Sequence, residues 1–322
     1  MWGYAHKEVQ TMLKKITGRI IRAVKAVCYG PEGIGKSTLA SQAPDPVFID
    51  LDDGTTQLDV ARVEPPRTWE SLLALILEIA ATPGFCKTLI LDTADKAEML
   101  CSQYICSQHR VDGIESIGYG KGYTYLQEEF NKLLTALDQV IAAGINVIIL
   151  AHAKMRKMEL PDEAGAFDRW ELKLTKQVAP LVKEWADALL FCNYKTFIVS
   201  SENSTKKAQG GKRVIYTSHH PCWDAKSRIG LPEEMEMAYT SIAPLFNESP
   251  HDVIFRWMQE AGISDTALRL SVSKHGFYPI EIPISQYPEE FVTDVLLANW
   301  VSVVKEVLIS YLKKENNHAD KL

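Results

Sequence analysis

Short apolar runs alternate with longer amphipathic stretches over the first two thirds of the chain. The runs predict strands at 26–29, 46–50, 88–92, 145–151 and 188–191. Because the run at 145–151 is almost entirely apolar, it is typical of a strand buried on both faces of a parallel sheet. One helical face between the runs carries Leu126, Phe130, Leu133, Leu137, Val140 and Ile141, and Gly144 ends that helix. This alternation predicts an α/β fold with a mostly parallel sheet flanked by helices.

The remaining pattern predicts additional elements and a division of the chain. Thr68 is expected to cap a helix that runs to Ala81, and a strand at 197–199 is expected to pair with 212–217. After about residue 244 the character becomes helical, with helix starts expected at Pro250, Ser264 and Pro288, the last helix running to about Lys314. We therefore expect a core at 1–244, opened by a helix at 1–16, and a small, mainly helical region at 245–322.

The amino-acid composition adds one constraint to these predictions, which comes from the net charge. The 322 residues are 46% apolar and 24% charged, which is ordinary for a globular protein. The formal net charge of −6 means that any nucleic acid would have to bind at local basic patches. The first residues resemble no secretory signal, and the six cysteines form no C-x-x-C pair, so a reducing cytoplasm is the expected location.

The clearest chemical signal is the sequence GPEGIGKS at 30–37, which matches the phosphate loop G-x-x-x-x-G-K-[ST] between a predicted strand and a predicted helix. Its glycines let backbone N–H groups turn toward a phosphate, and the helix N-terminus adds free donors. Lys36 is expected to reach the β- and γ-phosphates, and Ser37 to bind Mg²⁺. The predicted ATP-binding residues are Gly30, Pro31, Glu32, Gly33, Ile34, Gly35, Lys36, Ser37 and Thr38.

Acidic residues follow two other predicted strands. Asp92 ends one of them, at the position where P-loop proteins hold Mg²⁺. Asp50, Asp52 and Asp53 end the other, and in a parallel α/β sheet such strand ends share the edge where ligands bind. A carboxylate at that edge is able to orient an attacking water. An acidic turn in solvent explains the same three residues equally well.

A histidine lies at the same predicted edge. His152 directly follows the strand at 145–151 and precedes the basic cluster Lys154, Arg156 and Lys157. A polar side chain there is placed to touch the γ-phosphate and to report its hydrolysis to the chain that follows. The alternative is a histidine that ends a strand without any such role.

These residues together resemble the RecA-like ATPases, and among them a phage-encoded branch that includes single-strand-annealing recombinases. The matching stretches cover about 30–195 and 224–232 and read YGPEGIGKSTLA, VFIDLDDGT, TLILDTAD, IGYGKGYTYLQEEF, NVIILAHAKMRK, EWADALLF and DAKSRIGLP. The resemblance implies a RecA-like P-loop NTPase core, ATP and Mg²⁺ as cofactors, and a homo-oligomer. It also implies Lys36, Asp52 and His152 as catalytic residues, with the strand of His152 between the phosphate-loop strand and the Asp92 strand. RecA-like proteins usually have glutamate where Asp52 stands, which predicts weak turnover.

The same resemblance implies two loops for single-stranded DNA, at about 107–124 and 153–177. Both mix aromatic and cationic residues, a combination that holds single strands by stacking and charge. A basic turn at 206–213 is a third candidate. The candidate DNA residues are Lys121, Tyr123, Lys154, Arg156, Lys157, Lys206 and Lys207. Lys226 and Arg228 are candidates to complete a neighbouring subunit's site in trans.

The expected function is that of an ATP-binding, ATP-hydrolysing DNA recombination or single-strand-annealing protein. Single-stranded DNA is its expected partner, and a single-strand-binding protein is a second candidate. The alternatives are a RecA-fold helicase or helicase loader, a small-molecule P-loop kinase, and a nucleotide switch with little turnover. Thr93 follows Asp92 where many ring motors carry glutamate, which favours the first reading over a ring motor.

Overall fold

The computed structural model describes residues 22–159, 166–200, 206–246 and 250–307. The chain divides into two compact units, one comprising Arg22–Asn247 and the other, in its described part, 250–307. The helix expected at 1–16 and the end of the helix expected near Lys314 lie outside the described residues.

The first unit is built on one large sheet. Its strands are β1 Lys25–Gly30, β2 Pro46–Asp50, β3 Ala61–Arg62, β4 Thr88–Asp92, β5 Asn146–Glu159, β6 Ala166–Leu172, β7 Ala188–Ser200, β8 Lys206–Tyr216, β9 Lys226–Ser227 and β10 Glu234–Glu236. Its helices are α1 Lys36–Ala40, α2 Trp69–Ala80, α3 Ala94–His109, α4 Lys121–Ala142, α5 Val178–Trp185 and α6 Tyr239–Ile242. The strand order is β10-β8-β7-β1-β5-β4-β2-β3, with β6 paired to β5 and β9 to β7.

The centre of the sheet is parallel, as the apolar runs predict. From β7 to β3 the neighbouring strands run parallel, whereas β8, β9 and β10 join antiparallel at one side. The α/β prediction is therefore confirmed. So is the predicted position of β5, which lies between β1 and β4. The register sets Gly30 beside His152 and Asp50 beside Asp92, so the expected polar residues meet at the carboxyl edge.

Two predicted helices are confirmed in detail. Thr68 caps α2 in a reciprocal capping box with Ser71. All six apolar residues predicted for one face of α4 are buried. The sequence reading missed α3, because its buried face is made mainly of small residues, Ala94, Ala97 and Cys101, rather than of large apolar ones.

Two strands extend further than predicted. The strand expected to end at 151 continues to Glu159, and from Ala153 it pairs with β6 in register to Glu159↔Ala166. Much of the DNA loop expected at 153–177 is therefore a hairpin, which we call the β5–β6 hairpin. Likewise, the strands expected at 188–191 and 197–199 form one strand, β7, because β8 supplies hydrogen-bonding partners along the polar stretch between them. Backbone pairing, and not apolar content, extends both strands.

The second unit is helical. It contains α7 Pro250–Glu260, α8 Asp265–Lys274 and α9 Glu289–Phe291, with Ser264 capping α8 as predicted. The long helix expected from Pro288 is interrupted by a π-helical turn at Val292–Leu297 and resumes at 300–307. A separate apolar core holds this unit together and includes Ile254, Leu268, Ile284 and Val292. Within the described parts of the chain, no helix has the length and apolar character needed to cross a membrane.

Candidate functional site

The predicted phosphate loop joins β1 to α1 and depends on its glycines. Gly33 and Gly35 have φ values of 72° and 105°, a region in which side chains are strained. Gly30 is needed for a different reason. A Cβ on Gly30 would lie 2.3 Å from the carbonyl oxygen of Cys192 on neighbouring β7. The glycines thus allow both the curvature of the loop and its close packing against the sheet.

Lys36 lies inside this loop and is only 6% exposed. Its Nζ donates to the carbonyl oxygens of Gly30, at 3.1 Å, and Pro31, at 3.0 Å. Both contacts are with the loop backbone, so the ammonium group is held where a bound phosphate chain would pass. The role of Lys36 toward the β- and γ-phosphates stays a prediction.

Ser37 and Asp92 come together beside the lysine. Ser37 Oγ donates to Asp92 Oδ2 at 2.6 Å, and Asp92 is 3% exposed. Burial raises the pKa of Asp92, and the hydrogen bond from Ser37 partly opposes that shift. A hydroxyl and a buried carboxylate at a helix N-terminus are hard oxygen donors of the kind Mg²⁺ takes together with phosphate oxygens. The residues therefore fit the predicted metal, which would neutralise phosphate charge there.

The three acids that follow β2 have different environments. Asp50 is 4% exposed and accepts bonds from the backbone N–H groups of Asp52, Gly54 and Thr55 and from the Thr55 hydroxyl. Burial raises its pKa, but these bonds outweigh burial and the net pKa is lowered. Asp50 therefore builds the turn, and both of its carboxylate oxygens are engaged there. Asp52 is more accessible and pairs with Lys96 at 3.0 Å, while Asp53 has a left-handed φ of 53°.

His152 has a partner that the sequence reading missed, Asp95. The backbone N–H of His152 donates to Asp95 Oδ1 at 3.0 Å, and the ring Nδ1 lies 2.9 Å from Asp95 Oδ2. Burial raises the pKa of Asp95, but the bonds from His152 lower it more, to about 2. Asp95 is thus ionised at neutral pH and fixes the ring from Nδ1, leaving Nε2 for another contact. The available sequence signal was the second acid of the stretch DTAD, which lies three residues after Asp92 and in the first turn of α3.

The segment that follows β6 connects the loop, the histidine and α3. Lys173 donates its backbone N–H to the carbonyl of His152 at 2.8 Å, and its Nζ lies 3.3 Å from Glu32 of the phosphate loop. Two residues further, Thr175 donates through its N–H and its hydroxyl to the buried carboxylate of Glu98 on α3. Burial raises the pKa of Glu98. The phosphate loop is therefore linked to the base of the β5–β6 hairpin through side-chain contacts.

The candidate DNA residues lie at several places around this edge. On the β5–β6 hairpin, Lys154 donates to the carbonyl of Leu174, Arg156 lies 3.8 Å from Glu171, and Lys157 is exposed. Lys121 begins α4 and is exposed, whereas the Tyr123 hydroxyl donates to Glu115. Lys206 and Lys207 belong to β8, but their side chains lie outside the described residues.

Lys226 and Arg228 lie far from the phosphate loop of their own chain. Lys226 pairs with Leu189 near the start of β7, and Arg228 bonds Asp187 at 3.3 Å. The backbone N–H of Asp187 bonds the carbonyl of Lys25, at the opposite end of β1 from the loop. A role for either cation is thus confined to a neighbouring subunit, and that role stays a prediction.

A second cation at the loop, Arg213, was not predicted as a nucleotide ligand. Its Nη1 donates to the carbonyl of Ile34 at 3.2 Å. The sequence signal was available in the basic turn at 206–213, but the contact depends on the pairing of β8 with β7, which places β8 one strand away from β1.

Solved structures that are similar to this chain include the following two. The chain is similar to a KaiC-like protein of the hyperthermophilic archaeon Pyrococcus horikoshii, with 14% identity, a TM-score of 0.36, and coverage of 61% of this chain and 79% of that one. It is also similar to the flagellar accessory protein FlaH of Methanocaldococcus jannaschii, with 10% identity, a TM-score of 0.35, and coverage of 66% and 84%. A comparison with curated proteins gives no match.

A family model described as an AAA domain matches residues 22–229, which include the phosphate loop, Asp92, His152 and the strands that carry them. The match spans well over half of the chain and coincides with most of the first compact unit. The chain therefore belongs to this AAA-domain family, and the matched part is an α/β unit that carries the phosphate loop.

Proposed function

We propose that this protein hydrolyses ATP and uses the nucleotide state to control its grip on single-stranded DNA, as a recombinase or annealing protein of the phage-encoded branch it resembles. The observation that carries the proposal is the course of β5. Between β1 and β4 this strand is part of the central sheet, it passes the nucleotide edge at His152, and it continues unbroken into the basic β5–β6 hairpin.

The catalytic part of the proposal uses residues at the carboxyl edge. Lys36 and the loop amides bind the phosphates, and Ser37 with Asp92 holds Mg²⁺. Asp52 is the proposed acid that orients the attacking water, because Asp50 is already occupied by its own turn. Aspartate reaches less far than glutamate, so slow turnover in the absence of DNA is expected.

The coupling part rests on how His152 is held. Asp95 fixes its ring, and Lys173 ties its carbonyl to the segment that ends the hairpin and contacts Glu32. Loss of the γ-phosphate would remove the contact made by the free ring nitrogen and shift β5 relative to the loop. Because β5 is continuous, that shift would reach Lys154, Arg156 and Lys157 directly.

The DNA part rests on exposed cations and aromatics at this end of the molecule. Arg156 and Lys157 are exposed on the hairpin, and Tyr119, in the turn before Lys121, is fully exposed with a left-handed φ of 56°. Such a mixture suits a backbone-tracking, base-stacking contact with a single strand. On the same hairpin, Arg169 pairs with Asp224 and Trp170 packs near Phe191, so neither side chain is assigned to DNA.

The proposal includes an assembly. In RecA-like proteins the site is completed by a neighbour, and Lys226 or Arg228 would serve here in a homo-oligomer. A single-strand-binding protein is the second proposed partner, and the cytoplasm of a host cell is the proposed location. The competing function is a RecA-fold motor such as a helicase, which would use the same coupling to move along DNA.

The test is steady-state ATP hydrolysis with and without single-stranded DNA. We expect stimulation by DNA, annealing of complementary strands, and no directional unwinding; unwinding instead of annealing would select the motor. Lys36→Ala is expected to abolish turnover and serves as the control for contaminating ATPases. ATP hydrolysis that ignores DNA at every concentration would refute the proposal.

A further inference from the structure

Arg213 approaches the phosphate loop from one side of β1 in the strand order, and Asp92 and His152 lie on the other side of β1. It lies on β8, separated from β1 by β7, whereas Asp92 and His152 lie on β4 and β5 across β1. Its Nη1 is 3.2 Å from the carbonyl oxygen of Ile34 and 2.8 Å from the point that a Cβ on Gly35 would occupy. The guanidinium group therefore rests directly on the backbone of the loop at the start of α1.

Within the described parts of the chain, the charge of Arg213 is not paired with an acidic side chain. Its neighbours on the same strand pair are neutralised, since Lys195 pairs with Glu234 and Lys212 lies 3.6 Å from Glu236. Among the described residues, Arg213 pairs with no carboxylate, and its one side-chain bond goes to a carbonyl. A guanidinium has five N–H donors in a planar fork that fits phosphate oxygens, so most of its capacity remains for a ligand.

We propose that Arg213 binds the phosphate chain of the nucleotide in cis, at the end nearer the nucleoside. This inference rests on the nucleotide binding in the proposed function. The metal and the γ-phosphate belong on the side of Ser37, Asp92 and His152. Because the loop holds the phosphate chain across β1, a cation arriving from β8 meets the opposite end, the α-phosphate and its junction with the β-phosphate.

This position of Arg213 predicts how the affinities for ADP and ATP depend on it. ADP and ATP share the α- and β-phosphates, so both should depend on Arg213 to a similar degree. A cation that reads only the γ-phosphate would matter for ATP alone. Lys212 is the matched control, because it is the preceding residue on β8, carries the same charge and faces the other side of the strand.

The experiment is a titration of fluorescent ADP and a non-hydrolysable ATP analogue with Mg²⁺, in the absence of DNA, for the wild type, Arg213→Ala, Arg213→Lys and Lys212→Ala. We expect Arg213→Ala to weaken both ligands about tenfold or more, the loss typical of a charge-assisted hydrogen bond. Arg213→Lys should recover part of that loss, since it keeps the charge without the fork. Lys212→Ala should bind like the wild type.

Any other result of this titration contradicts a specific part of the proposal. Wild-type affinity in Arg213→Ala would remove the arginine from the site while leaving the proposed function intact. A loss confined to the ATP analogue would place the guanidinium at the γ-phosphate and refute the assignment to the nucleoside end. Equal losses in Arg213→Ala and Lys212→Ala would indicate a nonspecific charge effect. A wild-type protein that binds neither ligand would contradict the proposed function as well.

Discussion

Replacing Gly30 by alanine tests the packing on which the nucleotide site is built. A Cβ at this position would lie 2.3 Å from the carbonyl oxygen of Cys192 and 3.2 Å from its carbonyl carbon. Both atoms belong to the backbone of a central strand, so no side-chain rotation relieves the contact. An ordinary contact at this point requires the strands β1 and β7 to separate by about 1 Å, against the close packing of the sheet.

The magnitude follows from the cost of overpacking a tightly packed core, typically about 1–3 kcal/mol. Because the clash is with backbone, we expect the upper end, about 3 kcal/mol. For a unit of this size, each kcal/mol lowers the melting temperature by about 2–4 °C, so Gly30→Ala should lower it by about 6–12 °C. The same displacement should weaken nucleotide binding, because the Lys36 ammonium is held by the carbonyl of Gly30.

The measurement is thermal unfolding by circular dichroism, with Gly54→Ala as the matched control. Gly54 has open space where its Cβ would be and no left-handed φ, so the substitution there should be neutral or stabilise by about 0.4–1 kcal/mol through the unfolded chain. If Gly30→Ala melted within a degree or two of the wild type, β1 and β7 would not pack as described, and the geometry derived for the loop would be wrong.

Three further predictions concern the residues around the loop. Asp95→Asn keeps an acceptor for the His152 N–H but loses the ionised partner of its ring; after allowance for partial exposure, it should lower the free energy of unfolding by about 1–2 kcal/mol at pH 7. Because the folded pKa of Asp95 is depressed to about 2, this stabilisation is complete above the unfolded value near 3.8 and is lost as the pH falls toward 2. The loss of stability in Asp95→Asn, measured by urea unfolding, should therefore be smaller at pH 3 than at pH 7. A loss that does not change with pH would contradict the assignment. Glu98→Gln should change stability in the opposite direction, because burial raises the pKa of Glu98 and its charge opposes folding at neutral pH. The variant should be as stable as the wild type or more stable at pH 7. A clear loss of stability in the same assay would show that Thr175 needs the full carboxylate. Ser37→Ala removes the hydroxyl that bonds Asp92, so the Mg²⁺ concentration needed for half-maximal ATP hydrolysis should rise several-fold, whereas an unchanged Mg²⁺ dependence would exclude Ser37 as a ligand.

The sequence predicted the parts of the fold that depend on local pattern. The phosphate loop, the strand ending at Asp92 and the apolar face of α4 follow from short motifs and regular spacing, and the structure has them at the expected residues. The position of β5 between β1 and β4 was implied by the resemblance rather than by the pattern, and it is confirmed too.

The features that the sequence did not predict depend on contacts between distant segments of the chain. The β5–β6 hairpin and the full length of β7 exist because another strand supplies backbone hydrogen bonds to polar stretches, which apolar spacing does not reveal. Asp95 and Arg213 are common surface residue types by sequence alone. Their roles follow only when α3 brings Asp95 under His152 and the β7–β8 pair brings Arg213 onto the loop.

The proposed coupling, in which His152 transmits the nucleotide state to the β5–β6 hairpin, can be tested directly through the affinity for single-stranded DNA. It should be measured by fluorescence anisotropy with an ATP analogue and with ADP, for the wild type and for His152→Ala. We expect the wild type to bind DNA about tenfold or more tightly in the ATP state, and His152→Ala to bind nucleotide but to show nearly equal DNA affinity in the two states. Equal affinities in the two states for the wild type, or a full difference retained by His152→Ala, would contradict it.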